Sequence, residues 1–348
     1  MPRLRRVDCA GPGLKRRRRG RGFEYLDAAG CRIEDPETLV RVKALAIPPA
    51  WEEVWICPLP NGHLQATGRD VAGRRQYLYH EDWRARMDLR KFDHMLEFAG
   101  ALPGIRTIAL DHLALDRFPR ERVLGCAVRL LDRGFFRIGC EGYAEQNQTY
   151  GLATIHKRHV KLHGDEVLFD YVAKGGQRRL WSTVDPSVRE VVAVLKQRRS
   201  GGPELLAYKD GRKWVDIKSV DINDYIREIA DEDFTAKDFR TWNATVLAAV
   251  ALAVSTEANT KTARKRAISR AVKEVAHYLG NTPAVSRSSY IDPRVFDRYL
   301  SGWTIAGALG QIGEGAGFGE LATQGAIEDA VRDLLEYRRS SDALEKVA

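Results

Sequence analysis

The sequence predicts an α+β chain. A small antiparallel β domain at the N-terminal end is joined to a larger, mainly α domain that carries a β-hairpin. Three observations predict this. First, Val54–Cys57 and His63–Thr67 flank Asn61-Gly62, a strong short-range hairpin signal. Second, from Asp82 onward apolar residues recur at helical spacing in runs that stop at glycines. Third, Glu166–Val172 and Arg178–Thr183 flank Lys174-Gly175-Gly176-Gln177, a hairpin set inside the helical part. At 348 residues the chain exceeds the usual size of one domain, so a divided architecture with a sizeable core is expected.

In chain order, residues 1–22 mix Pro and Gly with the run Lys15-Arg16-Arg17-Arg18-Arg19 and read as a flexible basic arm or a solvated tail. Residues 23–85 form the β domain. Its last strand, Arg74–Tyr79, follows a turn at Asp70–Gly73 and alternates basic or polar residues with aromatic ones. Such a surface suits phosphates and stacked rings, or equally an edge strand with its aromatics in the core. Residues 86–305 form the larger domain. Helices are expected over Asp82–Phe98, ending at Gly100, and over Glu121–Asp132, ending at Gly134. Pro186 opens a helix reaching about Arg199, and Trp214–Ile217 reads as a short strand. Helices Ile222–Ala230, Trp242–Ser255 and Ala263–Leu279 follow, the last closed by Gly280. Asn281-Thr282-Pro283 reads as a turn, and the serine-rich stretch up to Tyr290 as a short polar loop. Residues 306–348 comprise a Gly-rich linker and a final amphipathic helix over about Ile327–Arg338. The stretch Gly307–Gly319 has no preceding strand and no following Lys-Ser or Lys-Thr, which excludes a phosphate loop.

The net charge of +9 favours a polyanionic partner, nucleic acid first. The longest apolar run, Ala244–Val254, is too short to cross a bilayer, and the N-terminal arginines precede no apolar segment of a signal peptide. A cytoplasmic protein is therefore expected. Cys9, Cys31, Cys57, Cys126 and Cys140 form no CxxC pair, so neither a zinc site nor a disulfide framework is expected.

A tyrosine after a serine-rich turn is ordinary surface unless cations surround it. To attack a phosphodiester its phenol, with a pKa near ~10, must be stabilised as the phenolate. The phosphorane it forms gathers charge on its equatorial oxygens, which suits the forked donors of arginine. The departing sugar oxygen also needs a positioned acid. The chain offers each part in a plausible setting. Arg137 follows a helix end in Phe136-Arg137-Ile138-Gly139, and Lys174 stands at the tip of a glycine turn. Arg240 lies where a helix begins, in Lys237-Asp238-Phe239-Arg240-Thr241-Trp242, and Asn281 precedes Tyr290 by a short segment. Taken singly, each is weak, since an Arg at a helix boundary or a Lys in a turn is more often a plain surface charge.

Taken together, the order Arg137, Lys174, Lys237-x-x-Arg240, Leu279-Gly280-Asn281, Tyr290 resembles the type IB DNA topoisomerases, in particular their poxvirus and bacterial branch. The local matches are LGNTPAVSRSSYI, DFRTW, RIGCEGY followed by YGLATIHKRHV, and YVAKGGQ, with GRRQYLYH in the N-terminal domain. The similarity spans residues 25 to 300, about four-fifths of the chain. It implies the fold shared by those enzymes and the tyrosine recombinases. By the same resemblance Tyr290 would attack DNA to form a 3′-phosphotyrosyl link, and Arg137 and Arg240 would bind the scissile phosphate. Lys174, helped by Arg137, would protonate the leaving 5′-oxygen. The strand would swivel and be resealed with neither ATP, metal nor other cofactor. Gln76, Tyr77 and Tyr79 would meet the major groove of double-stranded DNA, Lys237 would contact the DNA, and a monomer would close as a clamp around it. In a bacterium such an enzyme would sit at the nucleoid.

The chain departs from the pattern at Asn281, where many members carry histidine. Asparagine can donate a hydrogen bond to phosphate but cannot serve as a cation or an acid–base group. Two other readings stay open at this point. A tyrosine site-specific recombinase shares the residue logic but usually has a helical N-terminal domain, whereas residues 23–82 read as β. A non-catalytic basic DNA-binding protein would need only the charge. A metal-dependent nuclease fits poorly, because Asp170 and Lys174 are too far apart for a carboxylate-x-lysine site and no carboxylate cluster lies near Tyr290.

Overall fold

Strand alternation in the N-terminal part builds one antiparallel sheet, and the run of five basic residues belongs to it. The computed structural model describes residues 3–255, 260–312 and 323–346. They divide into two units, Met1–Asp93 and His94–Ala348. The first unit holds β1 (Leu14–Arg19), β2 (Gly22–Leu26), α1 (Pro36–Ala44), β3 (Glu52–Ile56), β4 (Leu64–Arg69) and β5 (Arg75–Tyr79), with strands in the order β2-β1-β3-β4-β5. Leu14, Val42, Ile47, Val54, Ile56 and Ala66 form its core, with α1 supplying Val42. The expected flexible arm over 1–22 is corrected here, because Lys15–Arg19 pairs with β2 and Leu14 and Lys15 with β3. Arg16 lies 4.2 Å from the Phe23 ring centroid and donates to Ile47 O and Trp51 O at 2.9 and 2.7 Å, while Arg17 pairs with Glu24 at 2.6 Å. Long basic side chains thus cover apolar surface and bond across the sheet, a use that charge counting does not reveal.

The β3–β4 hairpin is present, but its connection spans 57–63 rather than a two-residue turn at Asn61-Gly62. Pro58 and Pro60 have no N–H for the ladder, and the buried Gln65 amide fills the loop by donating to Gly62 O at 2.7 Å and Pro60 O at 3.0 Å. The helix expected to stop at Gly100 instead continues as α2 (Glu81–Leu113), through Gly100 and Pro103. Phe98 before the glycine and Leu102, Ile105, Ala109 and Leu113 beyond it are buried at helical spacing. That stripe outweighs the local breakers, since propensity is only a weak prior where packing is available.

The second unit continues with α3 (Arg120–Gly134), α4 (Glu141–Asn147), and an antiparallel sheet of β6 (Val160–His163), β7 (Glu166–Ala173) and β8 (Gln177–Val184), in the order β6-β7-β8. Then come α5 (Pro186–Gln197), the hairpin β9 (Ala207–Asp210) and β10 (Lys213–Asp216), α6 (Ser219–Ala230), α7 (Ala236–Ala253), α8 (Lys261–Leu279), α9 (Pro283–Ser289) and α10 (Pro293–Leu300). β11 (Trp303–Thr304) pairs with β12 (Glu345–Lys346), on either side of α11 (Ala326–Glu336). Residues 306–311 of the stretch read as a linker form a 3-10 turn, and 313–319 lie outside the described residues. Helix α7 is the centre of this unit. Phe239, Trp242 and Ala248 are buried, and α7 packs against α3, α8, α10 and α11. The C-terminal helix is joined to it by charge: Glu328 accepts from Trp242 Nε1 at 2.8 Å and pairs with Arg106 at 2.6 Å, and Arg106 also pairs with Asp132 at 2.9 Å. Residues 326–336 are therefore part of the second unit's core. Among the described residues no helix is long and apolar enough to cross a membrane.

Candidate active site

Four of the five residues singled out for chemistry converge where α3, α7, α8 and α9 end or begin. Helix α3 stops at Phe135, whose φ of 52° places it in the left-handed region. The chain then turns inward at Phe136, which is buried against Phe169, Tyr171 and Trp181. The next residues are held from outside, since Leu152 N donates to Arg137 O at 2.8 Å and Ala153 N to Ile138 O at 2.7 Å. This close approach requires glycine on both sides. Gly139 has φ of 88°, and a Cβ on Gly151 would stand 2.4 Å from Gly139 N. The RIGCEGY and YGLAT motifs therefore form one bracket whose product is the direction of Arg137. Its guanidinium donates to Gly280 O at 3.2 Å and to Asn281 Oδ1.

Arg240 projects from α7 and is buried, with 3% of its surface exposed, so here burial decides its chemistry. It donates to Leu279 O at 3.0 Å and to Phe135 O, two carbonyls at helix ends that no intrahelical N–H reaches. Burial pulls its pKa down to about 10, against the favourable pull of Tyr290, so it remains a cation at neutral pH. Its guanidinium carbon lies 5.3 Å from the Tyr290 ring centroid. Its Nε is buried without a partner.

The segment expected as a polar loop before Tyr290 is helix α9. Pro283 starts it, and the Thr282 hydroxyl caps it by accepting from Val285 N at 3.3 Å. Tyr290 caps the other end, its N–H donating to Ser286 O at 3.1 Å and its carbonyl accepting from Thr245 Oγ1 at 3.3 Å. Ile291 is fully buried behind it, and the buried Asp292 caps α10 and pairs with Arg294 at 2.7 Å. The nucleophile candidate thus sits on backbone anchored from both sides, with its ring half-buried. Burial favours its neutral phenol. The charges of Arg240 and Arg137, with that of Lys237, outweigh this and bring the pKa below the ordinary 10.0. Lys237 itself is exposed on the first turn of α7.

Asn281 has a defined orientation. Arginine can only donate, so the contact from Arg137 fixes Oδ1 as the inner atom and leaves Nδ2, buried and without a partner, as a free donor. A neutral imidazole could also accept from Arg137 while keeping one N–H donor, but an imidazolium could not. Asn281→His is therefore expected to retain cleavage within about tenfold, and Asn281→Ala to lose about 100-fold, the usual scale for one transition-state donor. Single-turnover cleavage rates test this, and equal rates for all three proteins would remove Asn281 from the chemistry.

Lys174 is not brought into this cluster. It stands exposed at the tip of the β7–β8 hairpin, between Ala173 and Gly175-Gly176 with φ of 81° and 74°. Among the described residues no hydrogen bond or ion pair joins it to the other four. In the first unit, Tyr77 and Tyr79 stack with centroids 6.1 Å apart on the exposed face of edge strand β5. Gln76 lies on the opposite face and donates to Asp70 at 2.9 Å. The rings of β5 therefore point outward, and Leu78 takes the core side. The sequence reading passed over Tyr171 and Arg179. Their cross-strand pairing beside Arg137 depends on register, although the inward period of β7 already groups Tyr171 with Val167 and Phe169.

Comparison with known proteins gives matches along most of the chain. The family model described as eukaryotic DNA topoisomerase I, catalytic core, matches residues 80–301, and that of the bacterial DNA topoisomerase IB N-terminal domain matches residues 22–70. The chain is 30% identical to DNA topoisomerase 1B of Acanthamoeba polyphaga mimivirus over 287 residues, covering 80% of this chain and 85% of the relative. It is 21% identical to DNA topoisomerase I of monkeypox virus and 20% identical to DNA topoisomerase 1B of vaccinia virus (strain Copenhagen), in each case over 71% of this chain and 75% of the relative.

Proposed function

Because the chain belongs to the type IB DNA topoisomerases, we propose that Tyr290, Arg137, Arg240, Asn281 and Lys174 are its catalytic residues. The enzyme relaxes supercoiled DNA by transient single-strand cleavage through a 3′-phosphotyrosyl intermediate, strand swivelling and religation, without ATP or metal. In the proposed first step the Tyr290 oxygen forms a bond to phosphorus as the bond from phosphorus to the 5′-oxygen breaks. Arg240 and Arg137 neutralise the equatorial oxygens, Asn281 Nδ2 adds a donor, and Lys174 supplies the proton that the 5′-oxygen takes up. One phosphate ester replaces another, so the 5′-hydroxyl can reverse the attack with no external energy source.

The single observation that carries this reading is the seating of Tyr290 beneath Arg240, beside an Arg137–Asn281 pair whose buried Nδ2 donor has no partner. Lys174 would meet the leaving group with DNA bound, and its exposure at a hairpin tip supports that role. For the rest of the substrate, we propose that the N-terminal unit, in which β1 joins the sheet expected over 23–85, binds DNA and that the larger unit, which contains most of the expected 86–305, is catalytic, with a monomer closing as a clamp on the duplex. Tyr77 and Tyr79 would be the principal ring contacts, with Gln76 and Lys237 beside the DNA. The enzyme would work in the cytoplasm, at the nucleoid in a bacterium.

The test is relaxation of a supercoiled plasmid that carries no recombination site, in EDTA and without ATP. Complete relaxation through a ladder of intermediate topoisomers is expected. Binding without relaxation would favour a non-catalytic DNA-binding protein. Activity confined to paired specific sites would favour a recombinase.

A further inference from the structure

The Lys174 hairpin is braced weakly by its own sheet. β6 pairs only with Glu166–Phe169 of β7, so from Asp170 outward the hairpin is two-stranded; one bond, Tyr150 N to Val172 O at 2.8 Å, holds its edge, and Val172 and Leu180 are exposed on its outer face. An isolated two-stranded ribbon is marginal in water. Fixing a lysine at its tip therefore calls for contacts on the inner face.

Beside the backbone bond from Tyr150 to Val172, the inner face is held by one cross-strand pair, Tyr171 and Arg179. The Tyr171 ring is buried in a parallel stack on Phe136, centroids 6.1 Å apart, directly before Arg137. The Arg179 guanidinium lies by the Tyr171 hydroxyl and donates to His277 O at 2.9 Å and to Tyr278 O. These are carbonyls of the last turn of α8, a helix end that favours a cation, and His277 O also accepts from Gly280 N at 3.2 Å. The same helix end continues into Gly280 and Asn281, which hold Arg137. Gly280 also lies close against Arg179, and a Cβ there would meet Nη1 at 3.2 Å. Among the described residues these are the hydrogen bonds that join β8 to α8. Lys174 is three residues beyond Tyr171, about 10 Å along the strand, so the anchor lies close enough to set the arc of the tip.

We infer that Arg179, seated on Tyr171, is a positioning residue that couples the Lys174 hairpin to the helix end carrying Asn281, so that acid and phosphate-binding groups meet the substrate in one geometry. The inference rests on the proposed role of Lys174 as the acid. Neither Tyr171 nor Arg179 is assigned contact with DNA.

The experiment compares single-turnover cleavage of two synthetic duplexes spanning a mapped cleavage site. One has the ordinary 5′-oxygen leaving group and the other a 5′-sulfur in its place. A thiolate, with a conjugate pKa near ~8.5, departs without a proton, so loss of the acid is invisible on the sulfur duplex. Arg179→Ala is expected to slow oxygen-substrate cleavage about 100-fold, the scale of a misplaced catalytic group, with DNA affinity unchanged. On the sulfur duplex it should cleave within about threefold of the parent enzyme, the allowance for a variant whose phosphate-binding groups are intact. Arg179→Lys, which retains one donor to the helix end, should recover part of the oxygen-substrate rate. Equal slowing on both duplexes, or no slowing at all, would overturn the inference. Lys174→Ala is run in parallel. If the sulfur duplex rescues Lys174→Ala but not Arg179→Ala, the coupling is wrong and the acid assignment stands. If it rescues neither, the acid assignment fails and the inference falls with it.

Discussion

Tyr290→Phe is expected to abolish plasmid relaxation, with a loss of at least ~10⁴-fold, the scale seen when an enzyme loses its nucleophile. The substitution removes one oxygen and little else. The ring that Arg240 covers remains, and a phenyl face still attracts a guanidinium. The backbone anchors at Ser286, Thr245 and Asp292 do not involve the phenol. DNA affinity and thermal stability should therefore stay near those of the parent. The measurement is relaxation in EDTA alongside a denaturing gel for the covalent protein–DNA adduct. The parent should show both relaxation and adduct, the variant neither, with equal binding in a mobility shift. Residual relaxation by the variant would mean that another group attacks, and every role built around Tyr290 would have to be reassigned.

Arg240→Ala should lower the cleavage rate by at least ~10³-fold, because the same cation acts on both reaction partners. Loss of one preorganised donor to a developing oxyanion typically costs ~10²–10³-fold. The second contribution comes through the nucleophile. Arg240 is the foremost of the charges holding the Tyr290 pKa below its ordinary value, so its removal lets burial carry the phenol upward. A reaction that uses the phenolate speeds up with pH until the tyrosine is ionised, so the rising limb of the rate profile should move to higher pH in the variant. The parent limb should lie below that of a free phenol. Arg240→Lys keeps the charge but loses the fork that reaches both Leu279 O and Phe135 O, and should fall between the two. Leaving those carbonyls without their donor costs about 1–3 kcal/mol, so a thermal melt accompanies the rate measurements. An unmoved pH limb would separate Arg240 from activation of Tyr290, and a loss below tenfold would remove it from the transition state.

Much of the site was legible in the chain because its chemistry is carried by residue types at fixed separations. Gly280 ends a helix in the left-handed region wherever that helix lies, and Lys174 between a strand and two glycines reads as a hairpin tip from local rules alone. The motif around Arg137 was visible as a string, but not its reason. Gly139 and Gly151 are required because two loops far apart in sequence touch there, and no local pattern records that contact. Misreadings arose where packing or capping overrode composition. Lys15–Arg19 reads as a tail until Phe23 and the carbonyls of Ile47 and Trp51 are seen to use Arg16. The serine-rich stretch before Tyr290 reads as a loop unless the Thr282 cap and Pro283 at the first helical position are given their full weight.

By itself, then, the sequence determined the parts: the β and helical divisions, the hairpin with its lysine, and the tyrosine with the arginines, lysine and asparagine that suit phosphoryl transfer. Periodicity, turn chemistry and side-chain pKa act over a few residues, and a sequence records them directly. Only the tertiary structure decided that Arg240 is buried beneath helix-end carbonyls, that Arg137 orients the Asn281 amide, and that Arg179 joins the hairpin to α8. Each of these depends on where the unsatisfied carbonyls of one element fall relative to the cations of another, and that relation exists only once the elements have packed.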